Sequence, residues 1–207
     1  MRVEAVVFDI GNVLTRWQPE AFYDRVIGPD RRRALFDAVD LHKMNDDIDA
    51  GALFGETIYA WADRHPDWRA EVRLWYDRWI ELASPRIEGS IALLRALRAK
   101  GMPCFALTNF GRASFEEAMP KLEFLAEFDR HYVSGRMGVI KPDPRIYQMV
   151  EDDCGVAPDR LLFTDDRADN IAAAAARGWL THHFDGWQPW AQRLVDEGLL
   201  TKQEAGL

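Results

Sequence analysis

A chain of 207 residues, 48% of them apolar, can bury one substantial core, alone or with an inserted unit. Its 26 basic against 34 acidic residues give a net charge of −8, which speaks against a nucleic-acid backbone or an anionic membrane as main partner, because both demand a positive face. Cys104 and Cys154 show no metal-binding spacing, no run of about 18 apolar residues occurs, and no cleavage site follows the first apolar stretch, so zinc, disulfides, a membrane span and a leader are unexpected and the expected location is a reducing cytoplasm.

In chain order, the apolar run "VEAVVF" (3–8) predicts a first strand that stops on Asp9. Residues 17–85 then carry about four helical patterns and no strand, and hold five of the eight tryptophans: Trp17, Trp61, Trp68, Trp75 and Trp79. Trp68, Val72, Trp75 and Trp79 fall at i, i+4, i+7 and i+11, the wide apolar stripe of a bundle helix over 68–82, and read as packing rather than as a ligand cage. This stretch is expected to be an all-helical insertion, with residues 1–16 and 86–200 forming an α/β core.

Beyond it, helices and strands alternate. A helix over 89–100 stops at Gly101 with Pro103 beyond. Strands follow at "PCFALT" (103–108) and "HYVS" (131–134). A helix over 144–154 has Asp143 as N-cap, Pro144 in its first turn and Gly155 at its end. The strand "RLLFT" (160–164), an alanine-rich helix over 167–177 and the strand "WLTHHF" (179–184) complete the pattern, and the residues from Thr201 are expected to fray. Apolar runs that are continuous rather than alternating belong to strands covered on both faces, so the fold class is α/β, a doubly wound, Rossmann-like parallel sheet.

Polar residues collect at three strand ends: Asp9 after the first, Thr108 and Asn109 after the second, Asp165 and Asp166 after the fourth. In an open parallel sheet these ends share one crevice where the strand order reverses. Three carboxylates there repel, and an all-oxygen donor set makes Mg²⁺ the natural counter-charge. Lys141, in the loop before the helix at Pro144, can reach the same crevice and help to neutralise a dianion. A carboxylate nucleophile, a metal, a lysine and a hydroxyl together suit phosphoryl transfer.

The segments "VVFDIGNVL", "LTN", "KPDPRIY" and "FTDDRADN" resemble, in order and spacing, the four motifs of the haloacid dehalogenase-like (HAD) hydrolase superfamily, and the helical insertion falls where that superfamily places a small cap. The form "FDIGNV" is most similar to a subgroup that includes α-glucose-1-phosphate phosphatase. The resemblance implies the strand order 5-4-1-2-3. It implies Asp9 as nucleophile, forming an aspartyl-phosphate, and Thr108, Asn109 and Lys141 around the phosphate. It further implies Mg²⁺ held by Asp9, the Gly11 backbone carbonyl and Asp166, with Asp165 in support, and makes Asp169 and Asn170 candidates for holding those ligands in place. A small phosphorylated metabolite, a sugar phosphate by preference, is the expected partner; the oligomeric state stays open.

Gly11 is the departure. Most phosphatases of the superfamily carry there an aspartate that moves protons to the leaving group and from water, and haloacid dehalogenases lack it. A metal-independent 2-haloacid dehalogenase is therefore the rival reading, opposed by the retained Asp165 and Asp166. A non-catalytic phospho-acceptor is a third, opposed by the order of its acids along the chain, which in receiver domains is reversed. His182 and His183 alternate across a strand and read as packing or surface. The run "DRRRA" (30–34) reads as a solvated helix start, with attraction of an anionic substrate as the alternative. His42, Asn45 and Asp46 are candidates for substrate contact from the cap.

Overall fold

The computed structural model describes residues 3–207. Strand β1 (Ala5–Phe8) is followed by five cap helices: α1 (Pro19–Ile27), α2 (Pro29–Ala38), α3 (Leu41–Asp49), α4 (Phe54–Arg64) and α5 (Arg69–Asp77). The chain continues through α6 (Glu88–Ala99), β2 (Cys104–Thr108), α7 (Arg112–Ala118), β3 (Arg130–Val133), the single turn α8 (Ser134–Met137) and α9 (Pro144–Cys154). It ends with β4 (Leu161–Asp165), α10 (Ala168–Ala176), β5 (Leu180–His183) and α11 (Trp187–Asp196). All strand pairs are parallel and the sheet runs β3-β2-β1-β4-β5, the expected order. The crossover reverses at β1, so Asp9 stands at the switch point.

Side chains alternate across the pleat. Val6, Phe8, Cys104, Ala106 and Leu162 join α6 and α11 on one face, whereas Ala5, Val7, Phe105, Leu107, Leu161 and Phe163 join α9 and α10 on the other. The first of these clusters runs without a break into the cap through Phe22, Tyr23, Met44, Ile48 and Trp75. Cap and core thus share one apolar interior, and the chain's exit and return segments are zipped together by Arg16 N to Pro85 O, Gln18 N to Leu82 O, Ile87 N to Leu14 O and Thr15 Oγ1 to Ala83 O.

The helix at Pro144 starts and stops as its capping residues dictate: the Asp143 side chain accepts from the Arg145 amide and Gly155 closes it with φ of 71°. Two expectations fail. The stripe 68–82 is not one helix but a 3₁₀ turn (Pro66–Trp68), α5 and a second 3₁₀ turn (Trp79–Glu81). The break at Arg78 turns Trp79 to the core, where its indole N–H donates to Glu117 and its ring meets Phe110 edge-on. The tail from Thr201 does not fray: Thr201 and Glu204 bond reciprocally, Lys100 pairs with Glu204, and Ala205 is buried. This is the Thr-x-x-Glu capping arrangement, visible in the sequence as "TKQE".

One close approach fixes where cap meets core. A Cβ on Gly135 would stand 2.5 Å from the Arg112 amide nitrogen and 2.9 Å from the Phe110 carbonyl oxygen, and one on Gly111 would stand 2.5 Å from the Ile48 side chain. Backbone cannot step aside as a flexible side chain can. Gly135→Ala is expected to destabilise the protein by about 1–3 kcal/mol, lowering Tm by several degrees in a thermal melt.

Candidate active site

β1, β2, β4 and the loop before α9 deliver the expected residues to one place. Lys141 Nζ lies 2.9 Å from Asp9 Oδ1, 2.7 Å from Asp165 Oδ2 and 2.9 Å from the Leu107 carbonyl oxygen, so the three protons of the ammonium have three acceptors. The lysine is only 2% exposed. Burial alone would push its pKa down, but Asp165 and Asp9 more than reverse this and hold it charged. Burial raises the Asp9 carboxyl to about 7, opposed by Lys141 and reinforced by Asp165 and Asp166. Asp166, half-buried, is likewise raised by desolvation.

The two acids at the end of β4 are not equivalent. Asp165 is fully buried and its oxygens accept from Lys141, from the Asn170 side-chain amide and from the Arg167 backbone N–H. Its electron pairs are spent on orienting the lysine. Asp166 accepts at Oδ2 from Asn12 Nδ2 at 2.9 Å and faces the cavity. Asp9, Asp165 and Asp166 offer carboxylate oxygens within 4.8 Å of one another. Three carboxylates against one ammonium leave a surplus of negative charge, and hard oxygen donors fit Mg²⁺ rather than a thiophilic ion. With Asp165 engaged, Asp9 and Asp166 are the carboxylates left for the ion. The turn after β1 also fits: the amides of Val13, Leu14 and Thr15 converge on the Ile10 carbonyl and that of Asn12 on Thr15, which leaves the Gly11 carbonyl outside the turn's own bonds.

The remaining expected residues divide. Thr108 is buried at the cavity wall. Asn109 reaches the site, but its side chain is committed to the Lys141 backbone, donating to the carbonyl at 3.0 Å and accepting from the amide at 2.8 Å. It places the lysine and keeps one N–H of its amide for another acceptor. Asn170 supports Asp165, whereas Asp169 is exposed and paired with Arg167, because it sits one step around α10, on the solvent side. His42, Asn45 and Asp46 do line the cavity. The "DRRRA" arginines do not: Arg31, Arg32 and Arg33 pair with Glu71, Asp24 and Asp30. His182 packs on Trp190, and His183 meets the Asp166 carbonyl oxygen at 2.9 Å.

Two residues were not marked by the motifs. Asn12 adopts φ of 55°, ties Asp166 to the first turn, and accepts the Trp17 amide at the cap entrance. The Gly-Asn pair signals such a turn, since asparagine tolerates the left-handed region. Asp49, at the end of α3, is a buried cap acid on the cavity wall, and no local signal separates it from its neighbours in "NDDID". The cavity holds about 590 Å³ between cap and core, with Trp17, Phe54, Trp75, Trp79 and Phe110 on its wall and Glu20, His42, Asn45, Asp46 and Asp49 among its polar groups.

A parallel α/β sheet with a lysine-braced carboxylate pair at its switch point, closed by a helical cap, defines a class of hydrolase. The profile of the haloacid dehalogenase-like hydrolases matches residues 3–178, and the chain belongs to that family. It is 30% identical over 86 residues to an (S)-2-haloacid dehalogenase of Pseudomonas fluorescens, covering 42% of this chain and 38% of that one. It is 28% identical over 93 residues to the sesquiterpene phosphatase AstK of Aspergillus oryzae, covering 45% and 47%. The matches thus span less than half the length of these curated relatives. A HAD-family enzyme of Bacteroides thetaiotaomicron, crystallised with magnesium and inorganic phosphate, superposes with a TM-score of 0.68 at 17% identity over 89% of this chain and 95% of that one, a likeness of fold.

Because the folded state holds the Asp9 proton more tightly than the unfolded chain does, ionising Asp9 costs stability as pH rises from about 4 to 7. Without metal ion, Asp9→Asn is therefore expected to melt above the wild type at pH 8, and the difference is expected to shrink toward pH 5. Thermal melts in EDTA across that range check the sign.

Proposed function

We propose that the protein is a Mg²⁺-dependent phosphatase of small phosphorylated metabolites, sugar phosphates by preference, acting through an aspartyl-phosphate on Asp9. The observation that carries this reading is the pairing of Asp9 with Asp166 beside the buried Lys141, on the wall of the cavity between cap and core. A wall that mixes aromatic side chains with carboxylates and amides suits a polyol, whose C–H faces stack and whose hydroxyls need acceptors.

Mg²⁺ between Asp9, Asp166 and the Gly11 carbonyl would neutralise the carboxylates and polarise the phosphoryl oxygens. Asp9 would then attack phosphorus with one carboxylate oxygen, expelling the alcohol. Lys141 keeps a fixed positive charge beside the nucleophile, held there by Asp165 and by the Asn109 clamp on its backbone. The Thr108 hydroxyl would donate to a phosphate oxygen. The cap excludes water during transfer, and water then cleaves the aspartyl-phosphate to return Asp9. Asp169 has no part in this scheme.

The dehalogenase reading draws on the match to the Pseudomonas enzyme and on the absence of an acid at Gly11. Against it stands Asp166, an acid turned to the cavity that halide displacement by Asp9 does not need. Phosphate release from a panel of sugar and alkyl phosphates is expected with Mg²⁺, lost in EDTA, and reduced by more than about 10³-fold in Asp9→Asn. Halide release from 2-chloropropionate in EDTA, with no phosphate release from any ester, would replace this reading by the dehalogenase one.

A further inference from the structure

Gly11 leaves proton transfer unassigned. A Cβ there would meet only the Trp17 Cβ, at 3.9 Å, so the glycine is not forced by crowding and leaves the position beside the nucleophile without an acid of its own. The proton has to come from elsewhere on the cavity wall. His42 is exposed and bonded to Glu20 at 3.0 Å, and Asp46, though on the cavity wall, is exposed to solvent. Asp49 differs from both, being 8% exposed and placed at the cap–core seam.

Its position is fixed from three sides. Ser134 Oγ donates to the Asp49 backbone carbonyl at 2.6 Å, and the same hydroxyl accepts from the Phe110 amide at 2.9 Å. Asn45 Nδ2 donates to Asp49 Oδ2 at 2.8 Å. The Gly111 amide also points to its carboxyl, at the glycine where the cap helix approaches the core most closely. A cap residue is thereby locked to the loop after β2, which begins with Asn109 directly beyond Thr108. Both Asp49 and Asp9 line the same cavity.

We infer that Asp49, from the cap, is the general acid and base of the reaction, doing from above what Gly11 leaves undone beside Asp9. This rests on the phosphatase reading. As Asp9 Oδ bonds to phosphorus, the bond from phosphorus to the ester oxygen breaks and the Asp49 carboxyl proton passes to that oxygen, releasing a neutral alcohol. The Asp49 carboxylate then takes a proton from water as the water oxygen bonds to phosphorus. The acyl-phosphate bond breaks, Asp9 is regenerated, and Asp49 is again protonated.

The electrostatics agree. Burial raises Asp49 to about 8, with Asp46 and Asp9 adding to the shift and the Gly111 and Asn45 bonds opposing it. Other charges near α3 are engaged elsewhere: Arg112 and Arg136 face Glu116, Lys43 pairs with Asp47, Glu56 of α4 lies with Asp47 on the outer side, and Lys141 is held by Asp9 and Asp165. A carboxyl still protonated at neutral pH is matched to donating a proton there.

The test compares leaving groups. In Asp49→Asn, turnover of an alkyl phosphate is expected to fall about 10²–10⁴-fold, because an alkoxide leaves poorly without a proton. With p-nitrophenyl phosphate, whose phenolate needs none, the variant should release a burst of one equivalent of p-nitrophenol and then turn over slowly, since only the water step now lacks its base. Adding Gly11→Asp to Asp49→Asn should restore alkyl phosphate turnover at least about tenfold. Independently of substrate, the ¹³Cγ resonance that Asp49→Asn removes should titrate well above the ordinary carboxyl range in the wild-type protein. Equal losses for both esters without a burst, no rescue by Gly11→Asp, or an ordinary Asp49 titration would overturn the inference while leaving an active wild-type phosphatase intact. A wild type inactive on every ester with Mg²⁺ would instead overturn the phosphatase reading itself, and the inference with it.

Discussion

The site depends on one buried ion cluster, Lys141 set between Asp9 and Asp165. A charge taken out of water must find its partners in the protein, and here the ammonium meets two carboxylates and a backbone carbonyl within 2.9 Å. Much of the surrounding structure maintains that arrangement. Asn170 and the Arg167 amide hold Asp165, and Asn109 holds the lysine's backbone. These groups come from the ends of β1, β2 and β4 and from the loop before α9, so the cluster forms only when the three strands lie side by side.

Charge in that cluster is deliberately unbalanced. One lysine cannot neutralise three acids, and burial, with the neighbouring carboxylates adding to it, raises Asp9 and Asp166. An all-oxygen cluster with surplus negative charge suits a hard cation. The same surplus explains why the two neighbouring acids of "TDD" divide their work: the inner one faces the lysine, and the outer one faces the cavity.

The cap contributes more than cover. Its apolar stripe continues the core rather than packing separately, and its seam is set by glycines whose side-chain-free backbones let Ile48 and Asp49 approach the loop after β2. Trp75 and Trp79 serve packing and cavity wall at once, so the choice between core residue and ligand contact is not exclusive. The family assignment gives a hydrolase, and the cavity between cap and core mixes aromatic with acidic groups.

What the sequence determined by itself was everything carried by local periodicity and fixed spacing. Continuous apolar runs gave the parallel sheet, Asp143 and Gly155 bounded a helix, and four short motifs located Asp9, Thr108, Lys141 and Asp166. It also contained, unread, the Gly-Asn turn at Asn12 and the Thr-x-x-Glu box that anchors the tail. Tertiary structure alone decided the rest. The 68–82 stripe broke because Trp79 found better partners in the core than along its own helix. Asp169 and Asn170, adjacent in sequence, went to opposite sides of α10, one to solvent and one to Asp165. Asp49 separated from Asp46 and Asp47 only when α3 docked on the core, because burial, which sets a carboxyl's protonation, is a property of the packed molecule and not of the segment that carries the acid.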